Sequence, residues 1–486
     1  MKRVALGRGA QVVAWWAVAS GLVGCQVGPN YRSPILPNGA DTTLVSLDAK
    51  LETPTQTPAA WWRLYNDPQL DALVHEALTA NRDLRAANAN LAAARVAVAV
   101  VSADRYPSTE AIAGGVYGRD PVTDEILEID GHRPQTLWLF EDIFQASYEV
   151  DLSGRIHRAI EQANATAESI AAIRDGVSVV VAAQTARTYA QVCALGEQLA
   201  VARHSLEIVT REAEITQRRY ADGGNSEFEV ERAQALADEV RATIPQLEGL
   251  RRVALFELTA LLGRTPTGAP RELDSCSEPP RLTALIPVGD GRMLISRRPD
   301  VHQAERRLAA ATARIGVATA DLYPTIRLSA FYGGAATEVP QLGTNVGLAW
   351  GVGPSISWTF PNEVRARAQL KASRAAQAAV LASFDSVVLT ALKETEEALA
   401  AYSAVLNQRQ ALVDAQRRIH RSLDIARDEF AAGSLSSLDL LTTEQSLVAL
   451  DAAVAASDTS LIEDQIAVFK ALGGGWQMDA LSPITK

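Results

Sequence analysis

The segment from Gly347 to Phe360 alternates between apolar and small residues with a period of two. Such alternation predicts a β-strand with one apolar face, and a length of about 10 to 14 residues suits a tilted strand in a membrane. Trp138 to Val150 repeats the pattern, with Asp142 as an interruption. Weaker strands are predicted at Ser108 to Arg119 and at Thr325 to Gly334. The apolar set of the first segment is Leu348, Trp350, Val352, Pro354, Ile356, Trp358 and Phe360.

Two other stretches lack the residues that normally end a helix. No glycine or proline occurs from Asn362 to Ala432, and a single helix of that length would reach about 105 Å at roughly 1.5 Å per residue. Arg155 to Asp222 has no proline, and only Gly176 and Gly196 interrupt it. A globular core does not require a helix of this length. The pattern therefore predicts two long helices, or rods, that extend beyond an ordinary globular domain.

The chain contains an internal duplication. Asp83 to Pro107 aligns without gaps to Asp300 to Pro324, and both segments contain Leu-Ala-Ala-Ala and end in Ala-Asp-x-Tyr-Pro. Arg219 to Gln234 aligns in the same way to Glu429 to Glu444. Each half is therefore expected to consist of a helix, two strands, a long helix, a turn and a returning helix, with Pro245 interrupting the first return.

The second alignment places three pairs of turn residues in register. Gly223 matches Gly433, Ser226 matches Ser436, and Glu229 matches Asp439. Glycine commonly ends a helix and serine commonly begins one, so two equivalent turns between helices are predicted.

The amino terminus has the pattern of a secretory signal. Lys2, Arg3 and Arg8 precede a short apolar run, and Leu22-Val23-Gly24-Cys25 resembles a bacterial lipobox. That resemblance implies cleavage before Cys25 and its acylation, and a plain signal peptide is the alternative. Gln26, rather than aspartate, then points to the outer membrane. No later run of 18 apolar residues occurs, so any membrane span is expected to consist of strands.

Charge and composition narrow the classes of function. The 486 residues include 46 basic and 57 acidic side chains, a formal charge of −11. Removal of the signal leaves 43 basic residues and a charge of −14, which disfavours a nucleic-acid partner. The six histidines show no metal-ligand spacing, and no nucleophile motif or phosphate loop occurs, so neither cofactor nor enzyme activity is expected. Cys193 and Cys276 have no evident reason to pair, and we expect two free thiols.

Four strands per chain cannot close a barrel, and an open sheet edge in lipid leaves backbone groups unpaired. A trimer would supply twelve strands and leave a passage. The alternative is that the strands form two hairpins of a periplasmic sheet.

The order of parts resembles the TolC-like outer-membrane factors of tripartite export systems, in their lipoprotein (NodT/OprM-like) branch. The match rests on the lipobox, both Ala-Asp-x-Tyr-Pro junctions, Arg297 to Glu305, the two turns, and Leu472 to Trp476. It implies a homotrimeric tube in which a twelve-stranded outer-membrane β-barrel, four strands per chain, continues into a periplasmic α-helical barrel. A periplasmic adaptor would couple the tube to an inner-membrane transporter, and the tube would be a passive exit duct for small molecules. A lipoprotein adaptor and a structural helical spacer are the alternatives.

The resemblance also assigns roles near the turns. Asp439 matches the first acidic constriction position of the family, Thr442 stands where some relatives have a second aspartate, and Glu229 is the equivalent acid of the first turn. From the residues alone, a helix cap at a surface turn is the preferred interpretation of Asp439, and with the resemblance both interpretations stay open. The turns themselves are expected to dock the adaptor, through Arg219, Gly223, Ser226, Gly433 and Ser436.

The predicted organisation is therefore a signal peptide, an extended lipid-anchored segment, repeat 1, an equatorial connector, repeat 2 and a tail. Trp61, Trp62 and Tyr65 are expected to fix the end of the extended segment to the helical body. The corresponding ranges are 1–24, 25–67, 68–263, 264–291, 292–472 and 473–486.

Overall fold

The computed structural model describes residues 26–46, 52–53, 55, 57–119, 129, 136–282, 284–345, 347–361 and 363–476. The chain divides into two units. The first comprises residues 1–34, 92–169 and 305–383, and the second comprises 35–91, 170–304 and 384–486.

Helices account for most of the described chain. Their bounds are α1 (Pro68–Ala80), α2 (Arg82–Ser102), α3 (Arg155–Ala221), α4 (Glu227–Leu261), α5 (Gly291–Arg297), α6 (Pro299–Ala320), α7 (Val364–Ala431) and α8 (Ser437–Ala471). The two predicted rods are confirmed as α3 and α7. The predicted interruptions are wrong, because α3 continues through both glycines and α4 continues through Pro245. The surrounding helical hydrogen bonds outweigh these single weak positions.

Two short strands, Glu52–Thr53 and Ile286–Pro287, pair in parallel in the second unit. The four longer strands are β1 (Ser108–Gly118), β2 (Leu137–Val150), β3 (Thr325–Ala336) and β4 (Leu348–Ser357). They form one antiparallel sheet in chain order within the first unit. The register aligns Phe144 with Tyr332, and Tyr332 with Trp350, across three strands. All three side chains are exposed, and Trp350 retains 70% of its accessible surface. The predicted apolar face is therefore confirmed as an exposed one.

The opposite face of the sheet is polar. Arg327 lies beside Glu149, with a nitrogen to oxygen distance of 3.3 Å, and Gln145 donates to Glu110 at 2.6 Å. Alternation of side chains along each strand separates these groups from the aromatic row. The outer edges of β1 and β4 pair with no further strand among the described residues.

The first unit also holds the start of the extended segment. The Val27 amide donates to the Ser153 carbonyl at 3.1 Å, just after β2. Arg158 is 1% exposed and donates to the Val27 and Gly28 carbonyls and to Asn30 Oδ1. The guanidinium also pairs with Glu161 at 2.7 Å, and its three bonds to residues 27, 28 and 30 fix the path of this segment.

The second unit is built around an aromatic cluster. Trp61, Trp62 and Tyr65 are buried as predicted, and the Trp61 ring stacks on Phe469 of α8 with centroids 4.7 Å apart. Asp67 caps α1 by accepting from the Gln69 and Leu70 amides. The extended segment therefore ends in the core of the helical unit.

Arg298 lies in the same unit at the start of α6. Its guanidinium donates to Asp300, to Glu394 of α7 and to the Ala471 carbonyl at the end of α8. One arginine thereby satisfies a helix carboxyl end and two carboxylates, and it holds three helices together.

The expectation of two free thiols is wrong. Cys193 of α3 and Cys276 form a disulfide with their Cα atoms 4.8 Å apart. The close approach depends on Gly196, where an added Cβ would lie 1.9 Å from the Cys276 carbonyl oxygen. Residues 83 positions apart meet through tertiary packing, which no local pattern in the sequence discloses.

Among the described residues, two helical segments, Arg82–Arg105 and α7, are long and apolar enough by length and composition to cross a membrane, a criterion that helices of soluble proteins also meet. Both helices mix alanine and valine with scattered polar residues, so neither contains an uninterrupted run of 18 apolar residues. The expectation that any membrane span consists of strands stays a prediction.

Candidate functional site

The two turns that the duplication predicts have the same backbone hydrogen bonds. In the first, the Gly223 amide donates to Tyr220 and the Gly224 amide to Arg219. In the second, Gly433 donates to Phe430 and Ser434 to Glu429. These are Schellman motifs, in which the glycine adopts a left-handed conformation. Its φ is 80° at Gly223 and 77° at Gly433, values that a residue with a Cβ rarely adopts.

Serine begins the returning helix after each turn. Ser226 and Glu229 form a capping box, in which the Ser226 amide donates to Glu229 Oε2 at 2.7 Å. This backbone hydrogen bond lowers the pKa of Glu229, and burial opposes it weakly. Ser436 accepts from the Asp439 amide at 3.2 Å and donates to the Asp439 carboxylate at 2.6 Å. Glu229 therefore completes the cap of α4, whereas Asp439 binds only the hydroxyl of the capping Ser436.

The two turns lie side by side in the second unit. The Arg219 guanidinium stacks over the Phe430 ring, 4.1 Å from its centroid, which joins the ends of α3 and α7. The Ser437 hydroxyl hydrogen-bonds Glu229, which joins the starts of α4 and α8. Residues that the sequence places 211 and 208 positions apart thus meet at one end of the four helices.

Most of the predicted site residues remain accessible. Gly223, Ser226, Gly433 and Ser436 are exposed, and Arg219 is half-buried by its contact with Phe430. Asp439 and Thr442 are exposed, lie one turn apart on α8, and face solvent in the single chain. An exposed cluster at the ends of two long hairpins is a surface that a partner can reach.

The sequence analysis missed a buried charged group two turns into α8. Glu444 is 1% exposed and accepts a hydrogen bond from Arg427 of α7 at 3.3 Å. Burial and the neighbouring charge of Glu212 on α3 raise the pKa of Glu444 to about 7. Glu444 is the last residue of the second duplicated segment, where its counterpart is Gln234, and that change from amide to acid was the available signal.

Two further expectations concern the acylation site and metal binding. Cys25, the predicted acylation site, lies outside the described residues. Within the described part of the chain, no three His, Cys, Asp or Glu side chains come together as a metal site requires.

A family model described as outer membrane efflux protein matches residues 73–264 and 292–474. Among curated proteins, the chain is 29% identical to the pyoverdine export outer membrane protein OpmQ of Pseudomonas aeruginosa, over 86% of this chain and 88% of OpmQ. It is 28% identical to the toluene efflux pump outer membrane protein TtgC of Pseudomonas putida, over 94% of this chain and 93% of TtgC.

Among solved structures, the outer-membrane channel OprN superimposes with a TM-score of 0.85 at 32% identity, over 93% of this chain and all of that one. The expected TolC-like fold class is thereby confirmed, as is the expected place in the outer membrane. The alternatives of an adaptor and of a spacer are not supported, and the family is one of efflux channels rather than of enzymes. The chain therefore belongs to the outer membrane efflux protein family, and it is an outer-membrane channel component of an efflux pump.

Proposed function

We propose that the chain assembles as a homotrimer and forms a passive exit duct from the periplasm to the exterior. The observation that supports this most directly is the four-stranded sheet with an exposed aromatic face and two open edges. In lipid each open edge would leave unpaired backbone groups, at a cost of several kcal/mol for each group. Three copies would pair β1 of one chain with β4 of the next and close a barrel of twelve strands.

Assembly can be tested in outer-membrane fractions. We expect an unheated sample to migrate as a trimer in denaturing electrophoresis and a boiled sample as a monomer. Purified protein in a planar bilayer should conduct ions. A monomer under both conditions, with no conductance, would contradict the proposed duct.

We propose further that Cys25 is acylated, that the two turns dock a periplasmic adaptor, and that the adaptor couples the duct to an inner-membrane transporter. The docking residues are Arg219, Gly223, Ser226, Gly433 and Ser436. The turns suit this role because they are exposed and rigidly capped. Since OpmQ is named for pyoverdine and TtgC for toluene, two different compounds, we assign the choice of cargo to the transporter.

Docking can be tested by replacing Ser226 and Ser436 with arginine, which adds bulk and charge at both turns. We expect the variant to reach the membrane as a trimer but to lose cross-linking to the adaptor. Thr79→Arg is the control, because Thr79 is exposed but lies on α1. Unchanged cross-linking in the double variant would argue against docking at the turns.

The third element of the proposal is a gate formed by Asp439, with Glu229 and Thr442 beside it. In a trimer three Asp439 carboxylates at about 6 Å would repel by about 3 kcal/mol per pair at an effective dielectric constant near 20. Such a ring attracts cations and favours a wider opening.

Conductance measurements test the ring. Asp439→Ala should reduce cation selectivity, and Thr442→Asp should increase it by adding a second ring. Asp428→Ala is a matched control, because this acid is exposed near the same turn but precedes it. Equal selectivity in wild type and Asp439→Ala would remove Asp439 from the gate.

A further inference from the structure

Glu444 is a carboxylate that is buried but only half satisfied. Its Oε1 accepts from Arg427, whereas its Oε2 has no hydrogen-bond partner among the described residues. An ionised carboxylate in such a position is unfavourable, because one oxygen has lost its hydrogen bonds to water without gaining a donor from the protein. A proton on that oxygen would remove the charge.

The charged groups around Glu444 come from three other helices. A cavity of about 330 Å³ lies beside Leu440. It is lined by Arg427 of α7 and by three charged residues of α3, which are Arg211, Glu212 and Arg219. Glu229 of α4 lies on the other side of Glu212, in a small pocket closed by Ser437. Each helix of both hairpins therefore contributes a charge near this point.

Most of these charges are already engaged. Arg219 stacks on Phe430, Arg211 binds Glu207 at 3.1 Å, and Glu229 is held by Ser226. Arg219 and Arg427 both act on Glu212, whereas Arg427 is the guanidinium beside Glu444. Glu444 thus shares its guanidinium with a second carboxylate, and a proton on Glu444 removes the negative charge that is left unbalanced there.

The internal duplication supplies a comparison within the same molecule. The residues equivalent to Arg427 and Glu444 in the first hairpin are Gln217 and Gln234. These amides face each other in the same way, with Gln234 Nε2 donating to Gln217 Oε1 at 3.4 Å. The first hairpin therefore forms with a neutral pair at this position, Gln217 with Gln234. The second hairpin has an ionisable pair there, Arg427 with Glu444.

We propose that Glu444, Glu212 and Arg427 form a proton-controlled contact that regulates opening at the foot of the two hairpins, a regulation that rests on the gate proposed above. With one proton bound, Glu444 is neutral and does not repel Glu212, and α3 stays against α7 and α8. When that proton leaves to solvent, the two carboxylates repel each other and the hairpins separate. The duct is therefore closed in mild acid and opens above neutral pH.

The expected opening above neutral pH agrees with the surroundings of Glu444 and Glu212. Burial and the charge of Glu212 raise the pKa of Glu444, and burial also raises the pKa of Glu212. Arg427 acts in the opposite direction on both carboxyl groups. Both upward shifts place proton release closer to neutral pH than for a solvated glutamate.

The test uses the full-length trimer in a planar bilayer, with open probability measured from about pH 5.5 to about pH 8.5. Wild type should follow a one-proton curve with its midpoint near neutrality, changing by at most about tenfold per pH unit. Glu444→Gln, which mimics the protonated form, should stay closed and show no pH response in this range. Glu212→Gln removes the repulsion that separates the hairpins and should likewise stay closed across this range.

Two control variants separate this proposal from the gate. Gln234→Glu places an acid at the equivalent position of the first hairpin and should leave the midpoint unchanged. Asp439→Asn should alter cation selectivity but keep the midpoint. If Asp439→Asn abolishes the pH response and Glu444→Gln retains it, the buried pair is not the switch while the gate stands. If Asp439→Asn leaves cation selectivity unchanged while Glu444→Gln abolishes the pH response, Asp439 is removed from the gate and the switch stands.

Infrared spectroscopy gives a readout that is independent of conductance. The wild-type trimer should show a protonated-carboxyl band that disappears as the pH rises through neutrality, and Glu444→Gln should lack it. A spectrum in which this band is absent from wild type, or persists in Glu444→Gln, would overturn the proposal.

Discussion

At the scale of single residues, close backbone approaches determine the path of the segment that leads away from the predicted lipid anchor. Gly28 has a φ of 85°, and a Cβ there would lie 2.6 Å from the Gly316 Cα atom of α6. Arg158 binds the carbonyls on both sides of this contact, Val27 and Gly28. Because backbone cannot move aside as a side chain can, only glycine fits at residue 28.

Gly28→Ala should therefore release this segment from the first unit. We expect hydrogen exchange at the Val27 amide, which donates to Ser153, to accelerate by about tenfold or more, which corresponds to a loss of about 1 to 2 kcal/mol. Gly39→Ala is the matched control, since Gly39 has a φ of 82° but nothing within 4 Å of its added Cβ. Gly39→Ala should leave hydrogen exchange at the Val27 amide unchanged. If this amide exchanges at the same rate in both variants, the contact between Gly28 and Gly316 does not hold the segment in place.

At the scale of elements, the two hairpins share their turns and differ in their caps. The first returning helix begins with a complete capping box, Ser226 with Glu229, whereas the second uses the shorter Asp439 at the corresponding position. A glutamate reaches back to the amide of the capping serine, and in the structure it does so. The first turn of α4 therefore depends on an ionised carboxylate.

Protection of α4 should consequently fall in acid. The pKa of Glu229 is lower in the folded chain than its ordinary value of 4.5, so its contribution to stability is present above that value and is lost as the pH falls through the folded pKa. Hydrogen-exchange protection of the Val230 amide should decrease below about pH 4, and Glu229→Gln should show no such pH dependence. A pH dependence that survives this substitution would assign the effect to another group.

At the scale of the whole molecule, one covalent link joins the connector to a rod. The disulfide between Cys193 and Cys276 encloses the end of α3, the first turn and α4, whereas no bond of this kind encloses the second hairpin. Arg251 of α4 holds the same loop without covalent bonds, through the Leu273 and Cys276 carbonyls at 2.8 and 2.9 Å. The native path of the connector can therefore persist when the disulfide is absent.

Cys193→Ala with Cys276→Ala should weaken the folded chain without changing its fold. Closure of a loop of this length removes about 4 kcal/mol of conformational freedom from the unfolded chain, so the midpoint of denaturant unfolding should fall. The double variant should still form trimers and conduct. An unchanged midpoint, together with two reactive thiols in untreated wild type, would show that the cysteines do not pair.

The sequence by itself determined the elements, the duplication and the family. Long helices, alternating strands, glycine turns and serine caps depend on neighbouring residues, and the alignment of the two halves depends on order alone. Pro245 and the glycines of α3 show the limit of this reasoning, since packing overrides a weak local signal. Only the tertiary structure decided which distant residues meet: Cys193 with Cys276, Gly28 with Gly316, and Glu444 with Arg427. Such contacts depend on how helices pack rather than on any local pattern, so the duplication could mark Glu444 as a difference between the two halves but could not predict its burial.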